Sequence, residues 1–139
     1  MSQESTTRDL VERWRQMEEA FLRRDFDAMI SFFAPDAIWD VSSAGIGRFE
    51  GAAAIRRFLE DWTGSYQEYE HQPEAQDLGN GVVFAVILLD ARPADSAGRV
   101  QERWGFTVTW AAGMIVRVAV TQDIEKARAA AERLAEERE

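Results

Sequence analysis

Three side chains in this sequence are of types that could move a proton in an apolar cavity: Glu102, His71 and Asp40. Glu102 belongs to a segment in which Glu102, Trp104, Phe106, Val108 and Trp110 alternate with Arg103, Gly105, Thr107 and Thr109, so it shares a strand face with an indole. A carboxyl beside an indole in a dry cavity has its pKa raised, the condition for a general acid or base near neutral pH. At a sheet rim the same residue would be a solvated carboxylate or one paired with Arg92 or Arg99. His71, the single histidine, has an ordinary pKa near neutrality, and its strand could aim it into a cavity beside Tyr69 or leave it among the polar residues 67–72. Asp40 sits between Trp39 and Val41, and alternation points it away from whatever face those two line unless a bulge reverses it. Asp90 and Arg92, two residues apart, face one side and suit either a polar ligand head or an edge ion pair. Other chemistries are excluded by composition. With no cysteine and one histidine there is no disulfide framework and no zinc site of thiolates or imidazoles, so no metal is expected. No phosphate loop, nucleophile elbow or cofactor motif occurs, and no cofactor is expected.

The elements that must position these groups fall into a helical half and a sheet half. Leu10, Val11, Trp14, Met17, Phe21 and Leu22 recur at helical spacing behind a Thr6 or Thr7 cap. Asp25 caps a short second helix, Phe26 to Phe33, which Pro35 stops. Ala37 to Val41 alternates as a strand, and Ser42 to Glu50 reads as a loop. A third helix runs from about Gly51 to Gly64 with Ile55, Phe58, Leu59 and Trp62 on its apolar stripe. The period then becomes two, giving strands at about 66–78, 82–92, 99–110 and 114–122, with Asn80-Gly81 and Ala112-Gly113 as hairpin turns. Ile124, Ala127, Ala131 and Leu134 make a weak stripe in a charged final helix. The expected fold is α+β: a cone-shaped roll of three N-terminal helices on a curved, mostly antiparallel sheet, plus a C-terminal helix. Val82 to Leu89 is apolar on both faces, so the outer sheet face should also be covered, most simply by a second copy of the chain in a homodimer.

Length and charge bound the rest. At 139 residues and 46% hydrophobic content the expectation is one domain over 1–139, fraying at 1–6 and 135–139. A net charge of -9 argues against nucleic-acid and anionic-membrane partners. With no apolar run long enough to span a bilayer and no leader-like N-terminus, a cytoplasmic protein is expected.

The segments Arg24-Asp25-Phe26-Asp27, Phe33-Ala34-Pro35-Asp36-Ala37, Gly51 with Ile55 to Trp62, and Ala112 to Arg117 before Asp123 together resemble the nuclear transport factor 2-like superfamily, and most closely its SnoaL-like proteins. The resemblance implies a cavity for a small molecule, with cofactor-independent acid/base chemistry in some members and none known in others. Ketosteroid isomerases of this superfamily use an aspartate base with a tyrosine and a protonated acid that stabilise the enolate. Those positions fall here at Val41, near Met17 and near Trp104, and the last-strand aspartate of related epoxide hydrolases falls near Val120. The container is kept and its familiar catalytic set is not. The expected pocket is lined by Trp14, Met17, Phe33, Trp39, Val41, Phe58, Trp62, Trp104, Phe106, Val118 and Val120, and its expected occupant is a small hydrophobic ligand. Two readings stay open: an acid/base enzyme of isomerase, cyclase or hydrolase type, or a ligand-binding or scaffold protein.

Overall fold

A computed structural model describes residues 3–64, 66–93 and 98–138, and the side chains of 10–64, 74–92 and 98–138. Helix α1 (Gln3–Leu22) turns Trp14, Met17, Ala20 and Phe21 inward. Asp25 caps α2 (Phe26–Ile30), its carboxylate accepting from the Ala28 N–H at 3.1 Å. Strand β1 (Phe33–Asp40) then leads through a 3-10 turn (Ser42–Ala44) into a short strand β2 (Arg48–Glu50) and helix α3 (Ala52–Gly64). Strands β3 (Tyr66–Gly79), β4 (Val82–Pro93), β5 (Val100–Ala111) and β6 (Met114–Thr121) follow, and α4 (Ile124–Glu137) ends the chain.

The six strands form one curved sheet in the order β2-β1-β6-β5-β4-β3, antiparallel throughout except where β1 runs parallel to β6. Proline 35 does not end the path as a turn. The second helix stops at Ile30, three residues before the expected Phe33, and β1 already begins at Phe33 and passes through Pro35. The pairing with β6 breaks register between Phe33 and Ile38, which is how a residue without an N–H is accommodated in a strand. Residues 48–50, expected as loop, pair with β1 instead. Both two-residue hairpins have positive φ at each central residue, 56° and 82° at Asn80-Gly81 and 52° and 79° at Ala112-Gly113, the turn whose twist matches the flanking strands.

The inner face of the sheet and helices α1 to α3 enclose the main core, which includes Met29, Ile55, Val83, Leu89, Val108 and Ile115. The outer face is covered in part by the chain itself. Helix α4 lays Ala131 and Ala135 on Val82, Phe84 and Val86, and approaches so closely at Gly105 that a Cβ there would lie 3.1 Å from Ile124 Cδ1. Helix α4 thus covers this part of the outer face, and Leu88 is exposed. Among the described residues no helix is long and apolar enough to cross a membrane.

Candidate functional site

Alternation along the strands and helical periodicity along α1 and α3 aim one set of side chains at a common space between sheet and helices. Trp39 and Val41 contribute from β1 and its end, Ile87 and Leu89 from β4, Trp104 and Phe106 from β5, and Val120 from β6. Helix α1 adds Trp14, Met17, Glu18 and Phe21, and α3 adds Phe58, Leu59 and Trp62. The space open to a water-sized sphere is about 70 Å³, inside a wider region of about 660 Å³ that includes open solvent. Ile46, 40% exposed between Gly45 and Gly47, whose φ values are 77° and 128°, is the exposed residue of its lining.

The rings of the wall brace one another. Trp14 and Trp39 lie 5.9 Å and 6.1 Å from Phe106, Trp62 meets Trp104 edge-on at 6.3 Å, and Phe49 stacks on Phe58 at 4.3 Å behind it. Nine of the eleven side chains expected in the pocket line it; Phe33 and Val118 are buried in the adjoining core, Phe33 against Trp39 at 6.1 Å.

The carboxyl in this wall is one that sequence reasoning passed over. Glu18 is only 4% exposed, and neither of its oxygens has a hydrogen-bond partner. Burial pushes its pKa from 4.5 up to about 8; the nearby Trp14 indole N–H and the charge of Arg15 pull it only partly back. The Trp14 N–H bears on that charge without meeting the geometry of a hydrogen bond, and it too is buried and unpartnered. Glu18 is thus protonated at neutral pH, able to give a proton to a bound molecule or, once ionised, to take one. A signal for it exists in the sequence: Glu18 is seven residues after Val11, four after Trp14 and three before Phe21, squarely on the apolar stripe. It is also the residue next to Met17, where the ketosteroid isomerase resemblance placed the tyrosine.

The three acid/base candidates lie elsewhere. Glu102 shares the face of Trp104 but sits at the rim, where its Oε2 accepts from Trp104 Nε1 at 2.9 Å and from Gln122 Nε2 at 3.4 Å; it does not line the pocket. Asp40 faces the other side of β1, accepting from the backbone N–H and hydroxyl of Ser42 and pairing with Arg117 at 3.0 Å. The Ser42 hydrogen bonds, then Arg117 and Arg48, hold its carboxyl below the usual range. The side chain of His71 lies outside the described residues; its backbone pairs opposite Leu89. Asp90 forms an edge ion pair with Arg99 at 2.9 Å. Among the described residues no three histidine, aspartate or glutamate side chains gather to hold a metal ion.

Comparison with known proteins gives the frame. The profile of the SnoaL-like domain matches residues 12–118. A candidate polyketide cyclase from Xanthomonas campestris pv. campestris superposes with a TM-score of 0.68 at 26% identity, covering 94% of this chain and 99% of that one. TerC, crystallised with polyporic acid, superposes with a TM-score of 0.70 at 17% identity, covering 88% and 98%. Bal32a, from a soil-derived mobile gene cassette, reaches 0.73 at 16% identity, covering 89% and 95%. No curated protein matches the chain in sequence.

Proposed function

The chain belongs to the SnoaL-like domain family, and on that premise we propose that its aromatic pocket receives a small, largely apolar molecule with which Glu18 exchanges a proton, without a cofactor. The observation that carries this is the unpaired carboxyl in the wall. Leaving buried polar atoms without partners costs about 1–3 kcal/mol each, and a packed core would replace them with carbon. A carboxyl kept in this wall and protonated at neutral pH suits a general acid or base. TerC's polyporic acid and the candidate cyclase are consistent with a fold that houses ring systems, though at their identities they bear on the container more than on its chemistry.

A binding protein without turnover is the second reading, favoured by one observation: Glu18 is the sole ionisable lining residue among those described. The experiment that separates the readings has two parts. The Glu18 carboxyl is titrated by difference infrared spectroscopy against Glu18→Gln, with a midpoint near 8 expected; a midpoint near 4.5 would remove the proton-exchange proposal. Tryptophan quenching is then followed across aromatic and alicyclic compounds, and hits are incubated and checked for products. Binding with product formation that Glu18→Gln abolishes marks an enzyme, and binding without products marks a carrier.

A further inference from the structure

We propose that the molecule held in this pocket is a cation: a protonated amine on an apolar, ring-sized body, its ammonium against Glu18 and its body among the indole and phenyl rings. This rests on the reading that the pocket receives a small molecule and narrows it to one class.

The charge and rings of the wall favour one ligand class. Glu18 Oε1, Glu18 Oε2 and Trp14 Nε1 are all buried and unpartnered. A ketone can accept from the protonated carboxyl while the Trp14 N–H meets the other oxygen, but it draws nothing from the charge of the wall. An ionised acid meets no cation, because no arginine or lysine lines the pocket. An ammonium gives the carboxyl its counter-charge, and its remaining N–H bonds face the rings. The ionised carboxylate takes one hydrogen bond from the ligand N–H and another from the Trp14 N–H, both charge-assisted. The wall adds a second attraction, since Trp14, Trp39, Trp62, Trp104, Phe58 and Phe106 carry the negative ring faces that draw cations. The net charge of -9 adds a third by concentrating cations around the molecule.

The proton balance follows. The amine arrives already protonated, the Glu18 carboxyl is neutral in the empty pocket, and binding forms the ammonium–carboxylate pair while one proton leaves to the buffer. The charged group that acts on Glu18 is Arg15, exposed on the same helix. The side chains facing it from α3 and from β1, β4 and β6 are apolar.

Calorimetry with three probes sharing one skeleton tests this: 2-naphthylmethylamine, 2-naphthylmethanol and 2-naphthoate, titrated at pH 7 in buffers of different ionisation enthalpy. The amine is expected to bind at least tenfold more tightly than the alcohol, naphthoate most weakly, with about one proton released per amine. In Glu18→Gln, checked for folding by circular dichroism and backed by Glu18→Met, amine affinity falls to that of the alcohol and proton release vanishes. Alcohol binding as tight as amine overturns the cation while leaving a small-molecule pocket. Amine binding unchanged in both variants places the amine elsewhere and overturns it too. No binding by any probe overturns the pocket reading along with it.

Discussion

Trp14 and Glu18 stand one helical turn apart on α1, both buried against the same open volume, and neither the indole N–H nor the carboxyl oxygens make a hydrogen bond. An i, i+4 pair on a helix is placed to touch, so the absence of a bond within it leaves donor and acceptor both without a partner.

This arrangement predicts an inverted pH dependence of stability. The folded pKa of Glu18 is raised, from 4.5 to about 8, so its contribution is most favourable below 4.5, where both states hold the proton, and is lost as pH rises toward 8, because only the unfolded chain ionises freely. The whole swing is about 4–5 kcal/mol. Urea unfolding should therefore show that the gain of Glu18→Met over the natural protein is larger by several kcal/mol near pH 8 than near pH 4.5. Equal differences at both pH values would mean that Glu18 is solvated in the native state.

The contrast between Glu102 and Glu18 gives a second prediction. A glutamine at 102 keeps an oxygen that can accept the Trp104 N–H, so Glu102→Gln should change stability by no more than about 0.5 kcal/mol and leave ligand affinity within about twofold. Glu18→Gln, by comparison, should remove proton exchange with a bound molecule. Loss of ligand handling in Glu102→Gln with Glu18→Gln unaffected would return the chemistry to the rim.

Much of this architecture was legible because it is set locally. The alternation of Trp104 and Phe106, the apolar stripe of α3 and the Asn80-Gly81 turn each depend on a few neighbouring residues. Pro35 was misread because its missing N–H signals only that regular pairing breaks; whether the chain turns or bulges depends on β6, distant in sequence. The stripe of α4 was likewise visible, but which surface it covers is decided by Phe84 and Gly105, not by the helix. Glu18 was hidden by type: beside Glu19 it reads as surface charge, and only its phase relative to Trp14 and Phe21 marks it as inward.

Asp40 yields a third prediction, of structure without function. Its pKa is lowered, so its contribution is present above the ordinary carboxylate range and is lost as pH falls through its lower folded value. Asp40→Ala breaks the bonds to Ser42 and Arg117 and should cost about 1–2 kcal/mol at pH 7. That difference should shrink toward pH 2, and pocket affinity should stay unchanged. A large loss of affinity in a folded Asp40→Ala would tie this network to the site.

Ala112 carries the last prediction. It occupies the first central position of the β5–β6 hairpin with φ 52°, where an L-residue with a Cβ is disfavoured, while its counterpart in the β3–β4 hairpin is Asn80 at φ 56°. Nothing in the turn requires alanine, and the neighbouring Gly113 has open space around its Cα. Asn tolerates this conformation through its short polar side chain, so Ala112→Asn should stabilise the fold by about 0.5–1 kcal/mol. Arg13, which donates to the Gly113 carbonyl at 2.9 Å and stacks on Phe32 and Trp110, holds the turn in place from α1. The gain should therefore survive in an Arg13→Ala background only if the turn keeps its positive φ values without that clamp. Thermal unfolding of the two single variants and the double variant measures both quantities, and a destabilising Ala112→Asn in the intact protein would contradict the assigned backbone.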